Sequence, residues 1–453
     1  MKHFYFLGIG GIGMSALARY FHTKGHAVSG YDRTRHLICR TLEEEGIQIH
    51  YKDNVQLIPT PFLDPQQTII IYTPAIPQDH SELCYFQERG FTIHKRAEVL
   101  GEITRKERGL CVAGTHGKTT TSTILAHLLH QSSVKCNAFL GGISTNYQSN
   151  LLLSTESDLV VIEADEYDRS FHQLRPYMAI VTSVDADHLD IYGSAEQFIE
   201  GFAHFTSLIQ PGGCLVMKHG LALTPRLQDG VKLYRYSGGE EGDFHATNIR
   251  FEEGELLFDF VTPESIMRNL RLGVPALINI ENSVAAMAIA WLNGATEAEL
   301  RDAISSYAGI YRRFNVLVKN EDYTLIDDYA HHPTELRASI ESVRRLYPHK
   351  RIVGVFQPHL YTRTRDFADG FAEELSKLDE VVLLPIYPAR ELPIEGVSSE
   401  MLLNKIENPK KALCCKEKLL SLLLGKKGDV VLTLGAGDID ALVPVIAEAF
   451  QQK

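Results

Sequence analysis

A short segment near position 118 carries the residue types that hold a nucleotide triphosphate. Residues 114–120, "GTHGKTT", follow the apolar run "LCV" and lead into "TSTILAHLL", which begins a helix. Backbone N–H groups at that helix start would surround phosphate oxygens, while Lys118 would neutralise the β and γ oxygens and the Thr119 hydroxyl would hold Mg²⁺. Val112 stands where the usual G-x-x-x-x-G-K-[ST] motif has its first glycine, so the segment predicts a shortened phosphate-binding loop.

Acidic side chains end two later apolar runs of the sequence. The segment 160–168, "VVIEADEYD", places Glu163, Asp165 and Glu166 at a strand end. The segment 181–190, "VTSVDADHLD", does the same with a second set: Asp185, Asp187, His188 and Asp190. A phosphoryl-transfer site needs hard oxygen ligands for Mg²⁺ beside its Lys/Thr loop, and the alternative is a pair of solvated acidic loop tips.

A second glycine-rich segment lies at residues 8–13, "GIGGIG". Gly8, Gly10 and Gly13 fit G-x-G-x-x-G between an apolar strand and a helix, and Asp32 closes the next strand about 20 residues on, where a ribose-binding acid belongs. Glycines let the backbone approach a diphosphate, and the helix start supplies oriented N–H groups. A nicotinamide or flavin cofactor, another diphosphate ligand and a merely structural turn all remain open on these residues.

The last third of the chain adds basic residues that could clamp an anion. Arg313, Arg363 and Arg365 suit a phosphate or carboxylate clamp, because a guanidinium forks two hydrogen bonds to such groups; the alternative is surface arginines. His331 and His332 are adjacent, and adjacent side chains on extended backbone point apart, which disfavours a shared metal.

The elements that must position these residues alternate between short β-branched runs and amphipathic helical stretches. This alternation predicts an α/β protein with mostly parallel sheets and crossover helices, in three blocks. The first block runs from His3 to about Leu100, the second follows the charged boundary stretch 101–109, and the third begins near Asn315. Most candidate residues follow strand ends, where open α/β sheets place their ligands.

Composition narrows the function classes. The chain has 453 residues, 44% of them hydrophobic, and a formal net charge of −12, which argues against broad nucleic-acid or anionic-membrane binding. An anionic substrate must therefore be held by local clusters of cations and backbone N–H groups. No stretch approaches the ~20 apolar residues of a membrane span, and membrane insertion is not expected.

The seven cysteines are scattered and form no C-x-x-C pair. Neither a disulfide framework nor a zinc site is indicated, and a reducing cytoplasm fits best. The N-terminal stretch "FYFLGIGGIGMSALA" could also pass for a short export signal, but its glycine spacing gives a better account.

The chain resembles the Mur ligase family in the order and spacing of its motifs over nearly all 453 residues. The matching segments are "GIGGIGMSALA", "AGTHGKTTT", "EADEYD", "DADHLDIYG", "NIENSVAAMAIA", "YRRFNVL", "DDYAHHPTEL", "FQPHLYTRTRDF" and "GAGDI". The resemblance implies three domains: a Rossmann-like UDP-sugar domain over 1–102, a central P-loop-type ATPase domain over 103–314, and a Rossmann-like C-terminal domain over 315–453 that closes on ATP and binds the amino acid. It also explains Val112, because the family's phosphate loop is of the shorter G-T-x-G-K-[TS] type.

The implied activity is that of an ATP-dependent ligase in peptidoglycan precursor synthesis. It would join L-alanine to the lactyl carboxylate of UDP-N-acetylmuramate through an acyl phosphate, with ATP and Mg²⁺ required and ADP and phosphate released. The implied location is the cytoplasm, without nucleic-acid partners, and the protein would be a monomer or a homodimer.

The resemblance assigns roles to residues at matching positions. Lys118, Glu163, His188 and Arg363 would be catalytic, and Thr119, Glu163 and His188 would bind metal. The implied ATP-binding residues are Gly114, Thr115, His116, Gly117, Lys118, Thr119, Thr120, Asn279, Asn282, Arg313, Asp328 and His331. The implied UDP-sugar-binding residues are Gly8, Gly10, Gly11, Gly13, Asp32, Thr73 and Asn146, with Gly141 and Gly142 beside the sugar; His359, Tyr361 and Arg363 would bind the amino acid.

Three positions depart from the family pattern. Leu360 stands where the family's F-Q-P-H-R-Y-T-R-T segment has its first arginine, which leaves one cation fewer for the carboxylate of alanine. Ile278 replaces the histidine that usually precedes Asn279. No lysine occurs between Asp190 and Met217, so we expect no carbamylated lysine between the metal ions.

Three rival hypotheses remain. An NAD-dependent oxidoreductase would use the glycine motif but leave "GTHGKTT" without a role. A P-loop kinase or non-catalytic ATPase module would explain only the central block. Within the family, a recycling ligase would attach an intact tripeptide to the same sugar nucleotide.

Overall fold

Three β-sheets form from the apolar, β-branched runs of the sequence, which confirms the predicted α/β fold class with mostly parallel strands. The computed structural model describes residues 2–186, 189–239, 241–252, 255–389 and 391–452. The chain folds into two units. The first comprises Met1–His245, Val261–Ser265 and Asn282–Ala303, and the second comprises Ala246–Phe260, Ile266–Glu281 and Ile304–Lys453.

The N-terminal sheet of the first unit is entirely parallel. Its strands are β1 (His3–Leu7), β2 (Ala27–Tyr31), β3 (Gln48–His50), β4 (Thr68–Tyr72) and β5 (Thr92–Lys95), in the order β3-β2-β1-β4-β5. Its helices are α1 (Ile12–Thr23), α2 (Leu37–Glu44), α3 (Ser81–Glu88) and α4 (Arg96–Lys106), with 3-10 turns at Val55–Leu57 and Thr60–Phe62. The strand order reverses between β1 and β4, which is the position where open α/β sheets generally bind their ligands.

The central sheet of the first unit carries the phosphate loop. Its strands are β6 (Arg108–Ala113), β7 (Asn137–Ser144), β8 (Ser149–Leu152), β9 (Leu159–Glu163), β10 (Pro176–Val181), β11 (Cys214–Lys218), β12 (Lys232–Ser237) and the first two residues of β13 (Phe244–Glu252), in the order β8-β7-β9-β6-β10-β11-β12-β13. Only β8 runs antiparallel to its neighbour in this order. The helices are α5 (Lys118–Gln131), α6 (Leu189–Tyr192) and α7 (Ala195–Ser207), with a 3-10 segment at Tyr167–Gln173.

The second unit has its own sheet and core. Strands β14 (Glu255–Val261) and β15 (Ile266–Arg271) follow β13 in the strand order β13-β14-β15 and lead to α8 (Ile278–Leu292) and α9 (Glu297–Ser306). Residues Asn282–Ala303, which include the end of α8 and the start of α9, belong to the first unit. The C-terminal sheet contains β16 (Asn315–Lys319), β17 (Thr324–Asp328), β18 (Ile352–Phe356), β19 (Glu380–Leu383), β20 (Lys411–Leu413) and β21 (Val430–Leu434), in the order β16-β17-β21-β18-β19-β20. Only β16 is antiparallel to its neighbour there. The helices are α10 (Pro333–Leu346), α11 (Tyr361–Asp366), α12 (Ala368–Leu375), α13 (Ser399–Lys405), α14 (Lys416–Leu423) and α15 (Val443–Gln451), with a 3-10 turn at Asp438–Ala441.

The N-terminal and central sheets of the first unit share one continuous apolar core. Phe6 and Leu17 from the N-terminal part lie in the same cluster as Phe139 and Phe202 from the central part. The charged stretch 101–109, which we interpreted as a boundary, forms the end of α4 and the start of β6. This continuity fixes the glycine loop relative to the phosphate loop.

A buried asparagine reinforces the packing of α1 on β8. Asn150 donates through Nδ2 to the Ile12 carbonyl at 2.6 Å and to Ser15 Oγ at 2.9 Å, and its Oδ1 accepts a hydrogen bond from Arg19. Asn150 and Ser15 are fully buried. Water therefore cannot replace these bonds without opening the contact.

Within the described residues, no helix is long and apolar enough to cross a membrane. All seven cysteines are free thiols, and only Cys415 is exposed.

We expect Asn150→Ala to lower the free energy of unfolding by about 1–3 kcal/mol, because it leaves buried polar groups of α1 unpaired. Denaturant unfolding followed by circular dichroism measures the change. The matched control, Thr155→Ala in the exposed segment just after β8, should stay within about 0.5 kcal/mol of the parent. Equal stabilities of the two variants would contradict this role of Asn150.

Candidate active site

The phosphate loop connects β6 to α5 as the sequence predicts. Gly114 adopts a φ of +141°, and a side chain there would overlap the Thr182 hydroxyl, so this position requires glycine. Gly117 precedes the first residue of α5 with a φ of +79°. The first N–H groups of a helix have no partner within it and bear partial positive charge, so the start of α5 is suited to bind phosphate oxygens.

The loop after β10 braces the phosphate loop through hydrogen bonds. Thr115 Oγ1 donates to the Asp185 carbonyl at 2.7 Å, and the N–H of His116 donates to Ser183 Oγ at 2.8 Å. Thr182 Oγ1 in turn donates to the His116 carbonyl. Asp185, one of the candidate metal partners, thus acts here through its backbone, and its side chain is exposed.

Lys118 is held inside this loop by three acceptors. Its Nζ donates to the Gly114 carbonyl at 2.6 Å and to the Glu166 carboxylate at 2.8–2.9 Å, with the Thr115 carbonyl further away at 3.3 Å. The Glu166 side chain is only 2% exposed. Burial raises the pKa of Glu166, while the charge of Lys118 opposes that rise. Glu166 is therefore the counter-ion of the loop lysine, a role that the sequence could not distinguish from metal binding.

Glu163 ends β9 next to the same loop. Desolvation raises the pKa of this carboxyl group, opposed by the charge of Lys118 and by a hydrogen bond from Thr119. Its Oε2 atom is buried and lacks a hydrogen-bond partner among the residues that the structure describes. An unpaired buried carboxylate oxygen beside a threonine hydroxyl matches the hard oxygen donors that Mg²⁺ requires. His188, the other predicted metal ligand, lies outside the described residues.

Two further predicted residues, Asn282 and Gly141, lie around this pocket. Asn282 Oδ1 accepts a hydrogen bond from Thr121 Oγ1 at 3.1 Å, and a Cβ on Gly117 would lie 2.9 Å from the same oxygen. A side chain at Gly141 would overlap the Glu163 carboxylate. The structure thus brings Asn282 and Gly141 to the phosphate loop and to Glu163, respectively.

The glycine loop after β1 gathers the predicted UDP-sugar residues. The N–H of Gly10 donates to Asp32 Oδ2 at 2.8 Å, and Asp32 Oδ1 accepts from the N–H of Thr34 at 3.1 Å. A Cβ on Gly8 would lie 2.7 Å from the Thr73 side chain, which follows β4. The predicted residues Gly11 and Asn146 lie in the same loop and in the turn between β7 and β8, respectively.

Arg96 is a cation at the glycine loop that no sequence motif singled out. A side chain at Gly13 would overlap its guanidinium group, which also donates to Asp165 at 3.1 Å. The neighbouring Lys95 pairs with Asp168 at 2.9 Å. Arg96 is mostly buried, so its charge acts close to any diphosphate held by the loop.

In the second unit, Asp328 ends β17 and Arg313 lies close by. Desolvation raises the pKa of Asp328 to about 6, opposed by a hydrogen bond from Ser339 and by the charge of Arg313. The Arg313 guanidinium lies over the Tyr329 ring, 5.1 Å from its centre. Arg312 is buried instead, paired with Asp327 and donating to loop carbonyls. The structure therefore shows that Arg312 and Arg313 have different surroundings, a difference that the sequence could not reveal.

The predicted amino-acid residues follow β18. Arg363 lies 3.1 Å from His359 Nδ1, and the His331 ring is 6.4 Å from the His359 ring. Burial, with the charge of Arg363 next, lowers the pKa of His359 to about 4, so its ring is neutral near pH 7. Arg365 is exposed and pairs with the adjacent Asp366.

The remaining predicted residues of the second unit have local roles. Nδ1 of His331 donates a hydrogen bond to the Tyr329 carbonyl, whereas Nδ1 of His332 accepts one from the N–H of Thr334 at the start of α10. The two adjacent histidines thus take part in different local hydrogen bonds. Asn279 donates to the Val274 carbonyl at 3.2 Å, and Tyr361 is the first residue of α11.

Three family models match the chain in succession. They are "Mur ligase family, catalytic domain" over residues 3–108, "Mur ligase middle domain" over 112–290 and "Mur ligase, glutamate ligase domain" over 312–437.

Curated relatives match along the whole chain. The UDP-N-acetylmuramate–L-alanine ligase of Parabacteroides distasonis is 59% identical over 98% of this chain and 96% of its own. Its counterpart in Porphyromonas gingivalis W83 is 59% identical over 100% of this chain and 99% of its own, and that of Phocaeicola vulgatus is 56% identical over the same shares.

Solved structures share the fold. The UDP-N-acetylmuramate–alanine ligase of Thermotoga maritima is 25% identical with a TM-score of 0.83, over 100% of both chains. A murein peptide ligase of Psychrobacter arcticus is 21% identical with a TM-score of 0.67, over 100% of this chain and 98% of its own, and shows the fold alone. From the family models and the full-length relatives together, the chain belongs to the Mur ligase family.

Proposed function

We propose that the protein is an ATP-dependent ligase that joins L-alanine to the lactyl carboxylate of UDP-N-acetylmuramate, a step of peptidoglycan precursor synthesis. The observation that carries this proposal is the full-length similarity, at 56–59% identity, to three relatives that bear this activity in their names. The chain also retains the phosphate loop, the acidic segment after β9 and the basic residues after β18 that such a reaction uses.

The reaction needs activation because a carboxylate is a poor electrophile. The lactyl carboxylate takes the γ-phosphoryl group of ATP, which forms an acyl phosphate and releases ADP. The amine of L-alanine then attacks the acyl carbon, the amide forms, and phosphate leaves with the electrons of the broken C–O bond. Protein assistance in the first step is mainly positioning and charge stabilisation.

Lys118 supplies the cation for the β and γ oxygens. In the structure its ammonium group pairs with the buried Glu166, so the side chain is already held within the phosphate loop. A triphosphate offers Lys118 more negative charge than one carboxylate does, so exchange of partners is favourable. We assign the remaining ATP contacts to Gly114, Thr115, His116, Gly117, Thr119, Thr120, Asn279, Asn282, Arg313, Asp328 and His331.

Glu163 and Thr119 are the residues that would hold Mg²⁺, with His188 as a further proposed ligand. The unpaired Oε2 of Glu163 supports this assignment. Bound there, the cation would neutralise charge on the phosphates during transfer. The lack of lysine between Asp190 and Met217 supports a site without a carbamylated lysine.

The glycine loop is the proposed site of the UDP diphosphate. Gly8, Gly10, Gly11 and Gly13 present backbone to the ligand, and Arg96 adds a positive charge beside Gly13. We assign Asp32 to the ribose, Thr73 to the nucleotide crevice and Asn146 to the sugar side. His359, Tyr361 and Arg363 are assigned to L-alanine and the acyl phosphate.

Several finer assignments are also proposals. We propose the domain limits 1–102, 103–314 and 315–453, a cytoplasmic location, and a monomeric or homodimeric state. The oxidoreductase alternative is disfavoured because a nicotinamide site would leave Lys118, Glu163 and Glu166 without a role. The tripeptide-recycling alternative is disfavoured by the names of the full-length relatives.

A screen of acceptors tests the proposed reaction. With ATP, Mg²⁺ and UDP-N-acetylmuramate, we expect ADP formation with L-alanine to exceed that with glycine by about 10–200-fold in kcat/KM, the usual value of one methyl group in a pocket. L-Serine and the tripeptide complete the screen. A preference for the tripeptide would favour the recycling ligase, and ADP formation without any acceptor would contradict a ligase.

We expect Lys118→Ala to lower kcat by about 10²–10³-fold or more, because it removes a cation that stabilises charge on the transferred phosphoryl group. Its affinity for UDP-N-acetylmuramate, measured by calorimetry, should stay close to that of the parent, because the glycine loop is a separate site. Lys106→Ala, at an exposed position of α4, is the control. Loss of both activity and sugar-nucleotide affinity in a folded Lys118→Ala variant would refute the two-site assignment.

We expect Arg96→Ala to raise the KM for UDP-N-acetylmuramate by about tenfold or more, since a charge-assisted hydrogen bond is worth ~1.5–3 kcal/mol. The KM for ATP should change little. Asp165→Asn separates the two roles of Arg96, because it weakens the ion pair but keeps the cation, and it should shift the KM for the sugar nucleotide less than about threefold. If both variants raise this KM equally, Arg96 acts by packing and not by binding the diphosphate.

A further inference from the structure

We propose that Asp32, His36 and Cys39 form a binding site for one thiophilic divalent cation of the Zn²⁺ class, beside the glycine loop. One carboxylate oxygen, one imidazole nitrogen and one thiol sulfur from these residues all lie within 4.8 Å of one another. The site differs from the proposed Mg²⁺ site in both its residues and its donor chemistry, because sulfur and imidazole are donors that Zn²⁺ accepts readily.

The local structure brings the side chains of Asp32, His36 and Cys39 close together. Asp32 directly follows β2, His36 immediately precedes α2, and Cys39 is the third residue of that helix. Residues three apart in a helical turn face the same side. Nε2 of His36 lies 3.8 Å from Sγ of Cys39, close to the ~3.5 Å expected when Zn–S and Zn–N bonds of ~2.3 and ~2.0 Å meet at a tetrahedral angle.

The donor groups keep capacity for a cation. The Cys39 side chain is fully buried, and its thiol lies 3.5 Å from the Thr34 carbonyl and 3.8 Å from His36, with the Tyr51 hydroxyl also nearby. Asp32 accepts hydrogen bonds from the N–H groups of Gly10 and Thr34, which orient the carboxylate but leave lone pairs on both oxygens. Such backbone bonds to a ligating carboxylate are typical support for a metal site.

The charge of the site balances a divalent cation. On binding, the Cys39 S–H bond breaks, its proton passes to the buffer, and a bond from the thiolate to the metal forms. The thiolate and the Asp32 carboxylate together carry two negative charges, and His36 binds as the neutral ring. The neighbouring Arg35 is paired with Glu43 at 2.9 Å, so its charge is already compensated.

Because the site lies next to the glycine loop, a bound cation would affect catalysis. A Cβ on Gly10 would lie 2.7 Å from His36 Nε2 and would overlap the Cys39 sulfur, so the cluster touches the loop backbone. A cation held by Asp32 would occupy the carboxylate that we assign to the ribose of UDP-N-acetylmuramate. We therefore expect the cation and the sugar nucleotide to exclude each other; this consequence rests on the proposed function, whereas cation binding does not.

Cobalt titration of the full-length, chelator-treated protein tests the site. We expect one Co²⁺ per chain to give a thiolate-to-cobalt absorption band, which the proposed Mg²⁺ site cannot give because it has no sulfur ligand. Cys39→Ser should abolish the band, and His36→Ala should weaken Co²⁺ binding at least tenfold, which keeps the test valid if Cys39→Ser folds poorly. Cys415→Ser, at the exposed cysteine, should leave the band unchanged. A parent protein without this band, or a band that survives Cys39→Ser, would overturn the site.

Competition tests the consequence separately. UDP-N-acetylmuramate at 100 times its dissociation constant should raise the apparent dissociation constant of Co²⁺ about 100-fold, as mass action requires for exclusive binding. In ligase assays with Mg²⁺, Zn²⁺ should inhibit the parent and not Cys39→Ser. A cobalt band that is indifferent to the sugar nucleotide would overturn the exclusion alone. Absence of ligase activity in the chelator-treated protein with Mg²⁺ would instead refute the proposed function.

Discussion

The buried ion pair between Lys118 and Glu166 is the interaction on which the nucleotide site depends. The side chain of Lys118 is only 14% exposed, and burying its charge without a counter-ion would cost free energy. The loop carbonyls that accept hydrogen bonds from it do not supply a full opposite charge. Glu166 provides that opposite charge and directs the ammonium group of Lys118 into the phosphate loop. The low local dielectric strengthens the attraction of Lys118 for a phosphate, because few water molecules screen it. A protein with a net charge of −12 thus presents local positive charge at the loop that we propose binds ATP.

The acidic segment after β9 links the two anion sites of the first unit. Glu166 pairs with Lys118 of the phosphate loop, whereas Asp165 pairs with Arg96 beside the glycine loop, and Asp168 pairs with Lys95. One short segment thus supplies the carboxylates that pair with the cations of both proposed anion sites. Because Glu163 precedes it directly, a shift of this segment would move the proposed metal ligand and Arg96, beside the proposed sugar-nucleotide site, together.

The sequence predicted the strongly apolar strands and the loops that follow them, because burial leaves a clear run of apolar residues, as in β1, β6 and β9. It did not reveal β3 or β5, which are short and only partly buried. It located the phosphate loop but could not separate Glu163 from Glu166, since their roles depend on which carboxylate faces Lys118. It missed Arg96, because its contacts with Gly13 and Asp165 exist only once separate elements pack together. It also missed the Asp32, His36 and Cys39 cluster, because their convergence depends on the turn between β2 and α2.

The loop after β18 shows how one lost cation changes the demands on its neighbours. Leu360 replaces the arginine of the family pattern and adopts a φ of +69°, with its N–H donating to the Tyr387 carbonyl at 2.9 Å and its carbonyl accepting from Thr364 Oγ1 at 2.7 Å. These backbone bonds fix the loop without help from the side chain. Since His359 is neutral near pH 7, its Nδ1 can accept a hydrogen bond from Arg363 and thereby orient that guanidinium. If the carboxylate of L-alanine binds here, as we propose, it meets a single preoriented arginine, Arg363. Two parallel hydrogen bonds from this guanidinium would then compensate for the arginine that Leu360 replaces.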